Sequence, residues 1–254
     1  MTNFIAPPVM VSPSATLPTL RTQGFAVLDA AGVCTLSGCQ LPYLLDLTPF
    51  WSDLPPDPHL KDGGRYRRRR HSCFVVDNTA VTPVPQRPHW QPLEYNALHG
   101  GMHRLFEPLA PAMLAAPVWR QLLQWLGQLA SALRGPQPWF VETHPFRIDT
   151  TDGIGRPTPE GAHRDGVDLV AVFLVGRQDV KGGETRVFDA DGPAGQRFTL
   201  TEPWSLLLLD DARVIHESTP IQPLQAGSQA AYRDTLVVTL RSGGFPGEGR
   251  AQVA

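Results

Sequence analysis

The sequence predicts a mainly β protein with helical additions, and three observations lead to this fold class. Short apolar runs with a period of two follow one another from Trp139 to Leu240, separated by glycine-containing turns. Before them, one long stretch with apolar residues at helical spacing lies between Pro117 and Gly135. The chain has 254 residues, and a β barrel with added helices commonly fills about 200 to 250 residues as one domain. We therefore expect a helical and irregular front half packed on a β core.

The front half divides into a leader and a few short elements. Residues 1–20 are rich in proline, serine and threonine, which predicts a flexible leader ahead of a single domain at residues 21–254. Residues 24–28 predict an early strand, and Thr48 followed by a proline predicts the start of a short helix. Four prolines within residues 83–92 prevent regular structure. This segment could run near an active-site mouth, but we interpret it as a plain connector.

The stretch between Pro117 and Gly135 predicts the one long helix. Proline is favoured in a first turn, and glycine is a common stop. The apolar stripe should brace one sheet of the β core. Its residues are Val118, Leu122, Leu126, Leu129 and Leu133.

Two histidines and one aspartate in the β region form a metal-binding pattern. His163 and Asp165 are two positions apart, so in an extended segment both side chains point to the same side and can reach one ion. His216 follows an apolar run and a turn, which places it at the start of another strand. A mononuclear Fe(II) site that activates dioxygen uses two histidines and one carboxylate. An isolated H-x-D is more often a surface turn, but glycine turns and β-branched runs surround this one.

An arginine at the start of the last strand supplies an anion-binding group. Residues 232–240 are strongly strand-like, and Arg233 lies at their beginning. A guanidinium binds a carboxylate through two parallel hydrogen bonds. Arg233 is therefore suited to hold a dicarboxylate co-substrate, and we prefer it to Arg241, which closes the strand.

The combined pattern resembles the bacterial Fe(II)- and 2-oxoglutarate-dependent dioxygenases that include the L-isoleucine hydroxylases. The resemblance covers most of residues 64–241 and is carried by residues 64–70, 95–101, 104–109, 144–148, 159–189, 211–220 and 233–240. It implies a double-stranded β-helix, which is a jelly-roll or cupin-like barrel, with its core at about residues 139–241. It also implies that His163, Asp165 and His216 ligate Fe(II), with 2-oxoglutarate and O2 as co-substrates.

The resemblance further implies that Arg233 and Thr235 bind 2-oxoglutarate. One residue departs from the family pattern, because Pro145 stands where the family has a glutamine in the strand before the metal motif. Proline cannot donate to a strand ladder. We therefore expect a local disturbance of strand pairing at this position.

The implied activity is hydroxylation of an unactivated C–H bond in a small substrate, in the first place a free aliphatic L-amino acid. An arginine would pair with the substrate carboxylate and an acid with the ammonium. Two alternatives remain, a dioxygenase that acts on a modified amino acid, a peptide or a natural-product intermediate, and a non-catalytic cupin-like barrel that binds a small molecule. The barrel is disfavoured because a binder has no need of the complete residue set. The candidate substrate-binding residues are Tyr66, Arg68, Arg147, Glu160 and Asp168.

A run of five arginines within residues 65–70 is a feature that could mislead. It is one basic island in a slightly acidic chain, which argues against a nucleic-acid interface. If the run is a strand, its residues alternate between two faces. One face could then hold arginine near an anionic substrate group while the other stays solvated. The first face carries Tyr66, Arg68 and Arg70, and the second carries Arg65, Arg67 and Arg69.

Composition indicates where the protein acts and which partners it has. Lysine plus arginine number 22 and aspartate plus glutamate 24, so the net charge of −2 argues against a general polyanion binder. The three cysteines lack C-x-x-C spacing, which disfavours a disulfide framework. Residues 1–20 lack the basic start of a signal peptide, and the longest apolar run, residues 169–175, is too short to span a bilayer. The sequence predicts a cytoplasmic enzyme, a monomer or homodimer, whose partner is a small molecule.

Overall fold

An antiparallel sheet of eight strands forms the centre of the fold. The structure, a computed structural model, describes residues 6–225 and 231–248. The strands are β1 (Phe25–Leu28), β2 (Arg67–Arg69), β3 (Ser72–Asp77), β4 (Ala80–Pro83), β5 (Trp139–Asp149), β6 (Leu169–Gln178), β7 (Val180–Gly182), β8 (Thr185–Asp189), β9 (Gly195–Phe198), β10 (Leu206–Leu209), β11 (Val214–Ser218), β12 (Ile221–Pro223) and β13 (Tyr232–Arg241). The large sheet has the order β1-β10-β6-β13-β5-β3-β4, and β2 also pairs with β5.

Two smaller sheets complete the β core. One has the order β11-β8-β9, and the other consists of β12 and β7. Apolar side chains from the large sheet and from the β11-β8-β9 sheet meet in one buried cluster, which shows that the two sheets pack on each other. The predicted mainly β fold with helical additions is confirmed. The cluster includes Val170, Leu174 and Leu207 from the large sheet and Val187, Phe198 and Val214 from the smaller one.

Helices cover the other face of the large sheet. They are α1 (Thr16–Gln23), α2 (Ala30–Ser37), α3 (Leu41–Leu45), α4 (Pro111–Ala115) and α5 (Pro117–Arg134), with short 3-10 turns at Pro13–Ala15 and Thr48–Trp51. The predicted long helix is confirmed as α5, and its buried stripe packs in the same core as Val141, Phe173 and Leu236 of the sheet. None of the described helices is long and apolar enough to cross a membrane.

The described part of the predicted leader differs from a flexible segment. Leu20 in α1 is fully buried, and the N–H of Val11 donates to the carbonyl of Val27 over 2.8 Å. Pro13 and Pro18 lie in the first turns of their helical segments, where a missing N–H removes no helical hydrogen bond. The proline-rich composition therefore concealed short helices. Residues 1–5 lie outside the described part of the chain.

Pro145 lies inside β5, yet the strand stays paired on both sides of it. Along β13, Pro145 stands opposite Leu236 without a break in register. On the other side the neighbour of β5 changes at this point from β3 to β2. The carbonyl of Pro145 faces that gap and accepts from the N–H of Arg70 over 3.3 Å. The ring nitrogen faces the same gap, so the disturbance expected there is limited to the change of neighbour.

Candidate active site

His163, Asp165 and His216 lie together where the segment before β6 meets β11. Backbone hydrogen bonds of 3.0 and 2.9 Å join His163 and His216 in both directions. Nε2 of His163 is 3.9 Å from Oδ1 of Asp165, and Nε2 of His216 is 3.8 Å from Oδ2. One ligand atom from each residue lies within 4.8 Å of the others. A single ion could therefore contact all three residues.

Hydrogen bonding and burial leave the metal-facing atoms available. Nδ1 of His163 donates to the carbonyl of Gly161 over 2.9 Å, which assigns the lone pair to Nε2. Burial lowers the pKa of His216 well below its usual value, so this imidazole is neutral. Burial also raises the pKa of Asp165 to about 7, against the opposing effect of His163. Burial opposes, but Asp165 and Glu160 produce, a raised pKa for His163, so a divalent cation must displace a proton from the His163 and Asp165 pair. With that proton displaced, two neutral imidazoles and an ionised carboxylate fit Fe(II).

Asp211 fixes the backbone that carries Asp165. Its buried carboxylate accepts from the N–H groups of Asp165, Gly166 and Val167 over 2.9, 2.7 and 3.1 Å. Gly166 has φ +76°, and a Cβ there would lie 2.4 Å from the ring of Tyr95. Only glycine fits this turn without displacing its neighbours. The sequence placed Asp211 in a turn, but did not indicate this contact.

Arg233 and Thr235 line the same cavity as the three metal-facing residues. Arg233 is 4% exposed, and its Nε has no hydrogen-bond partner among the described residues. Burial and the neighbouring Arg177 lower its pKa to about 10, so the guanidinium remains protonated at neutral pH. A Cβ at Gly183 would lie 3.3 Å from Cδ of Arg233, so the glycine leaves room for this side chain. Arg233 thus offers a buried cation to an anionic ligand.

The arginine run forms β2 with the expected alternation, but the face that lines the cavity is the one carrying Arg67 and Arg69. These residues stand opposite Ile148 and Phe146 of β5, which also line the cavity. Arg68 points the other way and is 3.6 Å from Asp149. The structure corrects the interpretation that Arg68 contacts the substrate.

Tyr66, Arg147 and Asp168 also lie outside the cavity wall. Tyr66 is fully buried and donates to the carboxylate of Asp62 over 2.6 Å. Arg147 alternates with the inward-facing residues of β5 and makes two hydrogen bonds of 2.8 and 2.7 Å to Asp234. Asp168 accepts from the N–H of Ser242 over 2.7 Å. These partners occupy the groups that were expected to bind substrate.

Glu160 does line the cavity, beside the metal-facing residues. Its Oε1 is 3.6 Å from Nε2 of His163. Its Oε2 is buried and has no hydrogen-bond partner among the described residues. Because a buried carboxylate oxygen without a donor is costly, this atom is suited to a cationic or N–H-bearing ligand.

The proline-rich segment after β4 is part of the cavity wall and not a plain connector. His89 and Gln91 from this segment line the cavity. Nε2 of Gln91 donates to Oδ1 of Asp165 over 3.1 Å. Its Oε1 accepts from Asn96 and Arg104 over 3.0 and 2.9 Å. The sequence offered one weak signal for these contacts, which is the presence of polar side chains between the prolines.

Glu142 and three histidines form a buried polar network beside the cavity. His71 and His89 contact the Glu142 carboxylate at 3.0 and 3.3 Å. Burial lowers the pKa of His89 to about 4, so it donates to Glu142 as a neutral imidazole. Burial alone would raise the pKa of Glu142, but His89 and the N–H groups of both histidines hold it well below its usual value.

Four ligand atoms of this network also lie within 4.8 Å of one another. However, the rings of His71 and His144 are stacked, with centroids 4.7 Å apart and planes inclined by 11°. An imidazole lone pair lies in the ring plane, so two stacked rings cannot both direct theirs at one ion. The geometry therefore favours a hydrogen-bonded network over a second metal centre.

Comparison with known proteins decides the family. The model of the 2OG-Fe dioxygenase family matches residues 48–239, more than half of the chain. The chain belongs to the 2OG-Fe dioxygenase family. The match is to the family as a whole, and no curated protein matches the sequence significantly.

Solved structures agree with this membership. A bsmA homolog from Methylobium petroleophilum PM1 is 55% identical, with a TM-score of 0.89 over 96% of this chain and 98% of that chain. IDO from Bacillus thuringiensis is 19% identical, with a TM-score of 0.73 over 92% and 100% of the two chains. The Fe(II)/α-ketoglutarate-dependent dioxygenase TqaL is 18% identical, with a TM-score of 0.67 over 90% and 86%. The last two share the fold.

Membership defines the chemistry. As a 2OG-Fe dioxygenase the protein is an enzyme that uses Fe(II) and 2-oxoglutarate, and the group of two histidines and one aspartate fits the metal. The double-stranded β-helix expected from the sequence agrees with the two packed sheets. The family acts on small molecules, and which one this chain takes is a separate question.

Proposed function

We propose that this 2OG-Fe dioxygenase hydroxylates an unactivated C–H bond of a free L-amino acid. The proposal assigns iron to His163, Asp165 and His216, and 2-oxoglutarate to Arg233 and Thr235. The observation that carries it is a pair of unpartnered buried groups beside the metal-facing residues. Within the described part of the chain, Oε2 of Glu160 has no hydrogen-bond donor and Nε of Arg104 has no acceptor.

This pair complements a zwitterion. The α-ammonium donates to Glu160, and the α-carboxylate accepts from Arg104. Arg104 reaches the metal-facing group through Gln91, which bonds to both Arg104 and Asp165. A substrate held at these two points lies next to the metal.

When bound, iron would activate O2, which is the oxidant, and 2-oxoglutarate would supply two of the four electrons and leave as succinate and CO2. The protein binds, orients and shields the reactants. His216 and Arg233 are buried, and His163 and Asp165 are partly buried, which limits the access of water to the reacting centre. We also propose a cytoplasmic location, which the free thiols of Cys34, Cys39 and Cys73 favour.

Succinate release under air tests the proposal. Purified protein with Fe(II) and 2-oxoglutarate should release succinate faster with a free L-amino acid and should yield a product 16 Da heavier. The N-acetylated form of that amino acid lacks the ammonium and should be a poor substrate, because Glu160 then loses its charged partner. Turnover that prefers the N-acetylated or peptide form would contradict the assignment to free amino acids. A His163→Ala variant provides the background rate.

A further inference from the structure

Four arginines line the cavity, and two of them, Arg69 and Arg104, have neither a carboxylate partner among the described residues nor an assigned ligand. Arg67 is paired with Asp57 over 2.7 Å, and Arg233 is assigned to 2-oxoglutarate. Arg69 and Arg104 are 3% and 2% exposed, and Nε of each has no partner among the described residues. No described carboxylate makes an ion pair with either guanidinium. Buried cations without counter-ions are rare in folded proteins, so both groups are suited to anionic ligands.

Arg69 is held in place without neutralisation. Its guanidinium carbon lies 3.9 Å from the ring centre of Phe106 and 4.3 Å from that of Phe146. One of its terminal nitrogens donates to Nδ1 of His144 over 2.6 Å. Aromatic faces and a neutral imidazole orient the cation but supply no negative charge. The remaining N–H groups stay available to a ligand in the cavity.

The two arginines occupy different places along the cavity. Arg104 is joined to the metal-facing group through Gln91, which donates to Asp165. Arg69 on β2 stands opposite Phe146 on β5, which in turn stands opposite Thr235 on β13. Arg69 is therefore two strands away from β13, which carries the residues assigned to 2-oxoglutarate. Adjacent strands are about 4.8 Å apart, so Arg69 lies roughly 10 Å from that side. This distance leaves room for a substrate beside 2-oxoglutarate.

The cavity that Arg69 lines carries both polar and apolar side chains. Its polar lining includes His89, Asn96, Glu142 and His144, and its apolar lining includes Phe146, Val172 and Val237. The two carboxylate oxygens of Glu142 accept from His71 and His89, so Glu142 does not neutralise a ligand. An aliphatic side chain placed against Arg69 would desolvate its guanidinium without pairing it. Arg69 therefore favours an acidic side chain over the aliphatic one expected from the sequence resemblance.

We infer that the substrate is an acidic L-amino acid, with the ammonium on Glu160, the α-carboxylate on Arg104 and the side-chain carboxylate on Arg69. This inference rests on the proposed function and names its substrate class. In the reaction, a C–H bond of the substrate becomes C–OH with one oxygen atom of O2. The other oxygen atom enters succinate, C1 of 2-oxoglutarate leaves as CO2, and the substrate and 2-oxoglutarate each supply two electrons.

A comparison of isosteric substrates tests the inference without any variant. Aspartate and glutamate differ from asparagine and glutamine by one charge at nearly equal size. Because a charge-assisted hydrogen bond is lost in the amides, kcat/KM should be about 50-fold higher for the preferred acid than for its amide. Equal or better turnover of the amides, of isoleucine or of leucine would overturn the inference while leaving the amino-acid hydroxylase intact. If no free amino acid stimulated the release of succinate, the proposed function would be rejected, and the inference with it.

A variant then locates the recognition. Arg69→Gln should reduce the acid-to-amide ratio from about 50-fold to below about 5-fold, chiefly through a higher KM for the acid. Arg65→Gln is the matched control, because Arg65 belongs to the same run but is exposed and pairs with Asp152. The control should leave the ratio unchanged. A ratio that survives in a folded Arg69→Gln protein would overturn the assignment of the side-chain carboxylate to Arg69.

Discussion

Nε2 of Gln91 donates a 3.1 Å hydrogen bond to Oδ1 of Asp165. The donor comes from an irregular segment outside the two sheets, and the acceptor is the one carboxylate among the metal-facing residues. Groups that orient metal ligands commonly contribute to metal affinity. A residue far from the H-x-D motif in sequence therefore fixes the geometry of that motif.

Removal of Gln91 should weaken iron binding. Gln91→Ala leaves Asp165 without its side-chain donor, and we expect Fe(II) affinity to fall about 10- to 100-fold. Anaerobic titration with Fe(II) measures the change. Gln86→Ala is the control, since Gln86 donates to two carbonyl groups in the same segment but does not contact Asp165. Equal losses in the two variants would indicate a general effect on the segment.

Arg233 should determine the affinity for 2-oxoglutarate. Arg233→Gln removes a buried cation whose Nε has no hydrogen-bond partner among the described residues. We expect KM for 2-oxoglutarate to rise about 100-fold, which corresponds to about 3 kcal/mol. Steady-state kinetics over a range of 2-oxoglutarate concentrations provides the value. Arg241→Gln, at the other end of β13, should change it little because that side chain donates to the carbonyl of Gly244. An unchanged KM for 2-oxoglutarate in Arg233→Gln would show that another cationic residue binds the co-substrate.

Asp211 should matter for stability as well as for the site. Asp211→Ala leaves three backbone N–H groups without their acceptor, and we expect the free energy of unfolding to fall by about 3 kcal/mol. Asp211→Asn keeps one acceptor oxygen and should lose less. Urea denaturation of the metal-free protein measures both. Asp152→Ala is the control, because it removes only exposed contacts with the side chain and the backbone N–H of Arg65 and should cost less than about 1 kcal/mol. A loss no larger than that of the control would show that water replaces the carboxylate.

Stability should fall as the pH drops from 7 to 5, and His89 should account for part of the loss. The pKa of His89 is lowered to about 4 by burial, whereas an unfolded histidine titrates near pH 6.5. The unfolded chain therefore binds a proton that the folded protein excludes, and its contribution to stability is present above about pH 6.5 and lost as the pH falls toward 4. At pH 5 the expected loss is about 2 kcal/mol.

The variant His89→Gln isolates this contribution. Glutamine can still donate to Glu142 but does not titrate, so unfolding free energies measured from pH 7 to pH 5 should decline less steeply than in the unaltered protein. The quantity to compare is the change in unfolding free energy between pH 7 and pH 5, because the substitution can also change the stability at pH 7. Parallel declines in the two proteins would assign the acid sensitivity to other groups.

The β core and α5 could be predicted because their apolar periodicities are local properties of the chain. The H-x-D spacing and a distant histidine likewise singled out three residues that the fold brings together. The leader was misjudged because composition hides short helices such as α1. The substrate wall was misjudged for a different reason. Alternation along β2 is visible in the sequence, but the inward face is set by pairing with Phe146 and Ile148, which lie some eighty positions later.

The other missed contacts are also tertiary. Gln91 meets Asp165 across 74 positions, and His71 meets Glu142 across 71. No spacing rule connects such residues, because these contacts join segments that meet only in the tertiary structure. Sequence reasoning found the residues that share a strand or a turn, and missed those that approach from separate segments.

The segment between β4 and α4 has a consequence for how such enzymes diversify. Gln91 and Arg104 both lie on it. A loop exchanged with that of a relative that has a different substrate would therefore change the contacts to the iron ligand Asp165 together with the contacts to the substrate. Selection for a new substrate is then also selection on the affinity for iron. A lineage that changes its substrate through this loop must first pass through variants with an altered affinity for iron. Changes confined to β2 leave the affinity for iron unchanged.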